Sequence, residues 1–211
     1  MRSLILLAVI FLTGESVDNI PFSNLSSGFS YMIDNFVDET KTPFQTLIPV
    51  TYTNIIMDVA LDINLVSVNS FDEIGGYLEI SGYLDLKWTF YAANPSKDDV
   101  FVLYSSGSIW KPPLLLLNSV KSPSEIGDST SKIRCNLKSL DCEWKPWVIL
   151  QGACTPDVRF YPFDTQTCSY KIAAWGHLES ELTLTPARSD WNKELFEDNE
   201  EWTIQSTKSV A

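Results

Sequence analysis

The sequence predicts an all-β domain, either a β-sandwich or a barrel. Short segments with apolar residues at every second position are separated by turn formers such as Asn94-Pro95, Ser106-Gly107 and Lys111-Pro112-Pro113. Only one segment has the helical spacing of apolar residues, and the chain shows no internal repeat and no low-complexity tract. Many short strands with little helix are typical of sandwiches and barrels.

The N-terminus has the pattern of a secretory signal peptide. Met1-Arg2 supplies a positive charge, an apolar run extends from Leu4 to Leu12, and small and polar residues follow at 13–16. We predict a signal peptide over residues 1–16 and a mature domain over residues 17–211, with a buried N-terminal strand as the alternative. The protein is then secreted, and the Asn24-Leu25-Ser26 sequon predicts a glycan on Asn24.

The first elements of the mature chain are a helix and a long strand. A helix is predicted from about Ser27 to Val37, because apolar residues there recur at helical spacing and Ser26 or Ser27 can cap it. Residues 57–65 alternate between apolar and polar, which predicts a half-buried strand. Val66 and Val68 then follow on the opposite phase, which predicts a β-bulge.

The next strand has two clearly different faces. Its core face carries Leu78, Ile80, Leu84, Leu86 and Trp88. Its other face carries Tyr77, Glu79, Ser81, Tyr83, Asp85 and Lys87. Further strands are predicted at about 100–104, 133–137, 143–150, 158–160, 169–175, 182–185 and 202–205.

Two large rings lie on polar faces of these strands. Tyr83 is out of phase with the apolar residues of its strand, and Trp175 lies opposite Tyr170 and Ile172. Rings in such positions are candidates for an interface or for a pocket that encloses a cation. The alternative is that each ring packs beneath a neighbouring loop.

Composition and charge exclude several functions. The chain has 27 acidic and 15 basic residues and a net charge of −12, which argues against binding nucleic acid. No apolar run reaches the roughly 18 residues of a transmembrane helix. His177 is the single histidine and has no nucleophile motif beside it, so we interpret it as a loop residue and predict no enzyme activity and no cofactor.

The four cysteines indicate disulfides. They occur as Cys135-x6-Cys142 and Cys154-x13-Cys168, and nearest-neighbour pairing is the simplest of the three possible connectivities. Zinc is the competing interpretation, but neither spacing is C-x2-C and histidine is nearly absent. An immunoglobulin domain proper would need two cysteines far apart on facing sheets, so Cys154 and Cys168 instead close a loop.

An acidic segment lies near the C-terminus, with carboxylates at Glu194, Glu197, Asp198, Glu200 and Glu201. We interpret it as a solvated loop, or at best one that attracts calcium. A secreted hydrolase with paired carboxylates is the least favoured hypothesis.

The segment from Cys154 to Cys168, with Tyr161-Pro162-Phe163-Asp164 inside it, resembles the loop that names the Cys-loop ligand-gated ion channels. Upstream, Ile109-Trp110-Lys111-Pro112 followed by residues 114–119 is similar to that family's Trp-x-Pro-Asp…Asn segment. The similarity extends from the N-terminal helix to about Ala211. It is greatest to the extracellular domains of nicotinic-type receptors and to the acetylcholine-binding proteins.

This resemblance implies an immunoglobulin-like β-sandwich of about ten strands under an N-terminal helix. It also implies a homo- or hetero-pentamer of like subunits, with a small cationic neurotransmitter-like ligand bound between neighbours. Trp175 matches the Trp that forms the back wall of the site, and Tyr83 matches the aromatic residue of the complementary face, usually Trp. Leu117 stands where Tyr is usual, and Pro113 replaces the usual Asp.

The remaining site residues match less closely. Glu143 and Lys145 correspond loosely to complementary-face positions, and His177 stands near a position that is often aromatic. The family's lid loop with adjacent cysteines, its last strands and its membrane domain have no counterpart here. With Leu117 and without the lid, we expect weak or absent binding of small cholinergic ligands.

Two forms of this function remain open. The chain is either a soluble, acetylcholine-binding-protein-like form or a truncated channel subunit, and the apolar loop tip at Tyr161-Pro162-Phe163 favours the subunit. The alternative is a secreted pentamer-forming or subunit-capping protein that has no competent ligand site.

Overall fold

The computed structural model describes the backbone of residues 2–10 and the whole of residues 56–90, 96, 98–121, 125–127 and 130–211. The helix predicted at 27–37 and the sequon at Asn24 lie outside the described residues.

The described residues form two β-sheets and contain no helix, so the predicted all-β sandwich is confirmed. The five-stranded sheet has the order β12-β1-β10-β5-β6. The seven-stranded sheet has the order β11-β2-β3-β8-β7-β4, with β9 also paired to β3. The strands are β1 (Arg2–Ile10), β2 (Met57–Asp72), β3 (Tyr77–Thr89), β4 (Phe101–Ser105), β5 (Leu114–Leu116), β6 (Glu125–Ile126), β7 (Lys132–Asn136), β8 (Asp141–Trp144), β9 (Trp147–Ala153), β10 (Thr165–Ala174), β11 (Leu182–Pro186) and β12 (Trp202–Val210).

One hydrophobic core joins the two sheets. Leu61 and Leu84 from the larger sheet and Tyr170 from the smaller sheet are almost completely buried. The Tyr170 hydroxyl donates a hydrogen bond to the Leu78 carbonyl across the sheets, at 3.0 Å. Burial raises the pKa of this phenol well above its ordinary value, so it stays protonated and keeps its donor.

The strand periodicity predicted for β2 and β3 is confirmed. Alternate residues of β3 are buried from Leu78 to Trp88, and the β2–β3 pairing shifts register between Leu65 and Ser67, where the bulge was expected. The bulge re-aims β2, after which Val68 returns to the core.

Two other strand predictions are corrected by the structure. Residues 158–160 form no strand, because the backbone turns there and the Tyr161 N–H donates to the Val158 carbonyl at 3.2 Å. The segment 143–150 is divided between β8 and β9, since Pro146 has no N–H to continue the ladder. As a result β3 pairs with β8 at one end and with β9 at the other.

Both disulfides are present with nearest-neighbour pairing. Cys135 and Cys142 are cross-strand partners in the β7–β8 hairpin, and Cys154 and Cys168 close the Cys loop. By the chain-entropy model a loop of the second size stabilises the fold by about 3 kcal/mol.

The N-terminal apolar segment forms β1, which lies parallel to both β10 and β12. The signal peptide over residues 1–16 stays a prediction. No helix long and apolar enough to cross a bilayer occurs in the part of the chain that the structure describes.

Candidate functional site

Trp175 lies immediately after β10, with 61% of its surface exposed. Its backbone N–H donates to the Pro113 carbonyl at 2.8 Å, which fixes the start of the loop. The next residue, Gly176, has φ of 82°, a left-handed conformation that residues with a Cβ rarely adopt. The backbone therefore presents a large ring to solvent at the end of the smaller sheet.

Leu117 follows β5, which pairs antiparallel with the last residues of β10, so that Pro113 is opposite Trp175 and Leu117 is opposite Lys171. Its N–H donates to the Lys171 carbonyl at 2.7 Å, and its side chain is partly exposed. A leucine offers neither a hydroxyl nor a ring face, so it contributes only apolar contact to this surface.

Asn118 joins three strands behind Leu117. Its Nδ2 donates to the carbonyls of Ser169 (2.8 Å) and Ala153 (3.2 Å). Its Oδ1 accepts from the Lys171 N–H at 2.9 Å. This side chain therefore ties the end of β5 to β9 and β10 and holds the Leu117 turn in place.

His177, the third residue predicted on this side of the site, has its ring turned towards the protein. The ring centroid lies 6.5 Å from that of the buried Trp110, and Nδ1 is 3.8 Å from Oε2 of Glu181. Burial lowers the pKa of His177, with Glu181 opposing the shift, so the imidazole is mainly neutral at pH 7. A neutral, half-buried imidazole supports the loop that follows Trp175. We call Trp175, Leu117 and His177 the principal group.

Tyr83 lies on β3, on the face of the larger sheet that points away from the core. Its partner in the β3–β9 pairing is Trp147, and the two rings stack with centroids 6.5 Å apart and an interplanar angle of 24°. Trp147 is 53% exposed. The ring predicted at Tyr83 is thus half of an aromatic pair on an open sheet face.

Next to this pair, two carboxylates and two ammonium groups form a closed ring of ion pairs. Lys145 lies 2.8 Å from Glu143 and 3.6 Å from Asp85, and Lys87 lies 3.5 Å from each of the same carboxylates. We call these four residues the ion-pair ring.

The ion-pair ring is formally neutral, with two carboxylates and two ammonium groups. Burial raises the pKa of Glu143, but Lys145 and Lys87 outweigh burial and lower it overall. The hydrogen bond to Glu143 raises the pKa of Lys145. Because each charge already has partners, Glu143 offers little net attraction to an incoming cation. We call Tyr83, Glu143 and Lys145 the complementary group.

The two groups belong to different sheets. The principal group sits on the smaller sheet and the complementary group on the larger one. No hydrogen bond, ion pair or ring contact joins a member of one group to a member of the other among these described side chains.

Sequence analysis missed Trp147, Asn118, Asp85 and Lys87 as parts of these surfaces. The sequence does contain a signal for Trp147. Successive side chains of a strand alternate between its two faces, which places Trp147 with Glu143 and Lys145 and opposite the buried Val148 and Leu150. The bonds of Asn118 and the ion-pair ring depend on strand pairing over long sequence distances, which no local pattern shows.

Comparison with known proteins agrees with these motifs. Residues 38–211 match the sequence model of the neurotransmitter-gated ion-channel ligand binding domain. The chain belongs to this family.

Curated relatives of this ligand-binding domain are nicotinic receptor subunits. The neuronal acetylcholine receptor subunit alpha-3 of Bos taurus is 26% identical over 69% of this chain and 30% of its own length. The acetylcholine receptor subunit alpha-type acr-16 of Caenorhabditis elegans is 28% identical over 71% of this chain and 30% of its own. The human beta-3 subunit is 25% identical over 89% of this chain and 42% of its own. The chain thus spans less than half the length of these relatives, and its family is one of ion-channel binding domains, not of enzymes.

Proposed function

We propose that this ligand-binding domain assembles with like subunits and binds a small cationic ligand between neighbours. One subunit supplies the principal group and the next supplies the complementary group. The observation that carries the proposal is Trp175, a ring fixed by its backbone and exposed at the end of β10, in a chain whose family is a ligand-binding domain. The name of these relatives, acetylcholine receptor, supports a quaternary amine as the ligand class.

The expected affinity is low. A cation over an aromatic ring gains about 0.5–2 kcal/mol, and this site offers the rings of Trp175 and Tyr83. Leu117 adds no ring, and the ion-pair ring adds little net charge for a cation. We therefore expect dissociation constants above the micromolar range.

The test is a ligand-detected NMR titration at millimolar concentrations that compares two ligands of the same shape. Choline carries a quaternary ammonium group, and 3,3-dimethylbutan-1-ol replaces its nitrogen with carbon and is neutral. We expect choline to bind and the neutral analogue to bind roughly tenfold or more weakly. Trp175→Ala abolishes choline binding, whereas Phe160→Ala, at an exposed ring of the Cys loop, leaves it unchanged.

Equal binding of the two ligands, or choline binding unaffected by Trp175→Ala, contradicts the proposal. Micromolar or tighter choline binding contradicts the expected low affinity.

We further propose that the domain lies outside the cell, with residues 1–16 as a leader and a glycan on Asn24. The two disulfides support this location, because such bonds persist in oxidising compartments. Mass spectrometry of the native protein tests it through the mature N-terminus and the mass at Asn24. An unprocessed Met1 and an unmodified Asn24 would refute it.

The tip of the Cys loop favours a channel subunit over a soluble form. Phe160, Tyr161 and Phe163 are all largely exposed there, in a loop held by the Cys154–Cys168 bridge. An exposed apolar cluster of this kind is typical of a contact surface. A longer transcript with four hydrophobic spans would establish the subunit form, and its repeated absence would favour the soluble form.

A second candidate function is assembly without ligand binding. The observation that favours it is the 2.8 Å pair of Glu143 and Lys145, which gives the complementary face a closed set of charges, together with Leu117 on the principal face. This candidate predicts an oligomer by size-exclusion chromatography with light scattering and no response to choline. A monomer would exclude it.

A further inference from the structure

A groove of about 700 Å³ crosses the face of the larger sheet that points away from the core. Residues of β2, β3, β8, β7 and β4, which are neighbours in that order, line it. The groove shares Lys87 and Glu143 with the ion-pair ring and extends from there towards β4. Its volume is in the range of pockets that hold small organic ligands.

Arg134 lies in this groove between a carboxylate and an apolar surface. On β7 it is opposite Glu143 of β8 on one side and Leu103 of β4 on the other. Phe101 is two residues before Leu103 and so lies on the same face of β4, and both side chains are more than half exposed. The guanidinium carbon of Arg134 lies over the Phe101 ring, 4.1 Å from its centroid. The ring therefore holds the guanidinium on the side of the groove that faces β4.

The carboxylates of the groove already have partners of their own. Glu143 belongs to the ion-pair ring, whose two lysines lie 2.8 and 3.5 Å from its carboxylate. Asp141 accepts a hydrogen bond from the Thr89 hydroxyl at 2.7 Å, and Asp58 accepts one from the Thr185 hydroxyl at 2.9 Å. None of these three carboxylates forms an ion pair with the guanidinium that lies over Phe101.

Arg134 is therefore a cation with hydrogen-bond donors to spare. Among the residues that the structure describes, its guanidinium contacts the Phe101 ring and pairs with no carboxylate. The N–H groups of a guanidinium form a planar fork that matches the two oxygens of a carboxylate. An anion bound to this fork would lie beside the exposed apolar surface of Phe101 and Leu103. The net charge of −12 gives anions no general attraction to the protein, so such binding would have to come from this local arrangement.

We propose that this groove binds a small carboxylic acid with an aromatic body, with its carboxylate on Arg134 and its body against Phe101 and Leu103. The charge-assisted hydrogen bonds select a carboxylate over a neutral group of the same shape. The apolar surface selects an aromatic acid over a short one, because only the larger body removes that surface from water. This ligand has the opposite charge to the cation proposed above, and its contacts use neither Trp175 nor Tyr83.

The first test is an NMR chemical-shift titration of the isotope-labelled full chain with three probes. Benzoate carries both the charge and the ring, benzamide has the same shape without the charge, and acetate has the charge without the ring. We expect benzoate to bind roughly tenfold or more tightly than either of the other two. We also expect it to shift the amide signals of Phe101–Ser105 and Lys132–Asn136, which are β4 and β7. Benzoate that binds no more tightly than benzamide or acetate, or that shifts only amides outside these strands, overturns the proposal.

The second test uses matched arginine variants. Arg134→Gln removes the charge and the fork from the groove, and Arg159→Gln makes the same substitution at an exposed arginine of the Cys loop. We expect benzoate binding to weaken by roughly tenfold or more in Arg134→Gln and to stay unchanged in Arg159→Gln. Arg134→Lys keeps the charge without the fork and should bind with an intermediate affinity. Unchanged binding in Arg134→Gln, or an equal loss in Arg159→Gln, overturns the proposal, and urea midpoints equal to the parent's show that the variants are folded.

The third test separates this groove from the proposed cation site. We expect Trp175→Ala to leave benzoate binding unchanged, and choline at millimolar concentration not to displace benzoate. Loss of benzoate binding in Trp175→Ala, or its displacement by choline, would place the acid at the principal group and overturn the proposal. Choline binding with no benzoate binding, or the reverse, distinguishes failure of one proposal from failure of the other.

Discussion

At the scale of single residues, Gly176 determines how Trp175 is presented. Its φ of 82° is left-handed, and an added Cβ would meet no atom within 4 Å, so the cost of a side chain there is backbone strain alone. We expect Gly176→Ala to lower the free energy of unfolding by about 1–2 kcal/mol, measured by urea denaturation, and to weaken choline binding. Gly107→Ala is the control, because that turn also has open space but no positive φ. Equal unfolding midpoints for the two variants would show that the conformation of Gly176 carries no strain.

Asn118 is the second residue with a defined role. In Asn118→Asp a carboxylate replaces the donor that faces the Ser169 and Ala153 carbonyls, while the acceptor for the Lys171 N–H remains. We expect a loss of about 2 kcal/mol in the free energy of unfolding, because two carbonyls lose their donor and meet a negative charge. Denaturant titration measures it. A variant as stable as the parent would show that these bonds carry no net stability.

At the scale of elements, the ion-pair ring couples β3 to the end of β8. Lys87 and Glu143 are register partners, and Lys145 reaches back to Asp85. A double-mutant cycle with Glu143→Gln and Lys145→Gln should give a coupling of about 0.5–1 kcal/mol at low salt, since both groups are partly exposed. The coupling should decrease in high salt, where the charges are screened. A coupling of zero at low salt would mean that the ring sets geometry without stabilising the fold.

The elements also show what sequence patterns predict and what they miss. Alternation along one strand is a local property, so the core face of β3 and the outward Tyr83 follow from the sequence. The stack of Tyr83 on Trp147 depends on the register of β3 against β9, which joins distant residues and has no local signal. The strand expected at 158–160 is wrong because Val158 and Phe160 have strand composition, yet the Cys loop turns there and exposes them. A strand at the N-terminus is the alternative that the sequence offers to a leader, but its pairing with β10 and β12 joins distant residues and has no local signal.

At the scale of the whole molecule, the pH dependence of stability near neutrality should come from one side chain. His177 is the only histidine, and burial lowers its pKa below the ordinary value of about 6.5. Between the folded and unfolded pKa values the unfolded chain binds more protons, so stability rises with pH in that window. We therefore expect the urea midpoint to decrease as the pH falls from about 7 to 5.5, and His177→Gln to remove most of this slope.

Two carboxyl groups with shifted pKa values, Glu143 and Asp62, also contribute to the pH dependence of stability, but at lower pH. The pKa of Glu143 is lowered from 4.5, so its contribution to stability is present above about pH 4.5 and is lost only below it. Burial raises the pKa of Asp62 despite its pairing with Arg188, so its contribution decreases as pH rises above about 3.8, which is the opposite sign. Neither group produces a loss of stability between pH 7 and 5.5. A slope that persists in His177→Gln would therefore contradict the assignment.

The proposed assembly with like subunits also concerns the molecule as a whole. The outward face of the larger sheet carries Trp147 and Ile149, both more than half exposed, beside the neutral ion-pair ring. Aromatic residues such as Trp are enriched at the centre of protein interfaces. The net charge of −12 opposes association, so salt that screens this repulsion should favour the oligomer.

We therefore expect Trp147→Asp to shift the protein to a smaller species in size-exclusion chromatography with light scattering, because it removes a ring and adds a charge at the contact. Phe160→Asp is the control, since it makes the same kind of change at an even more exposed ring on the Cys loop, which is not part of β3 or β9. It should leave the mass unchanged. If Trp147→Asp retains the parent mass, or if Phe160→Asp is the variant that dissociates, the subunits do not meet through this face of β3 and β9. The complementary group would then lie outside the interface, and Trp175 alone would have to supply the ligand contacts.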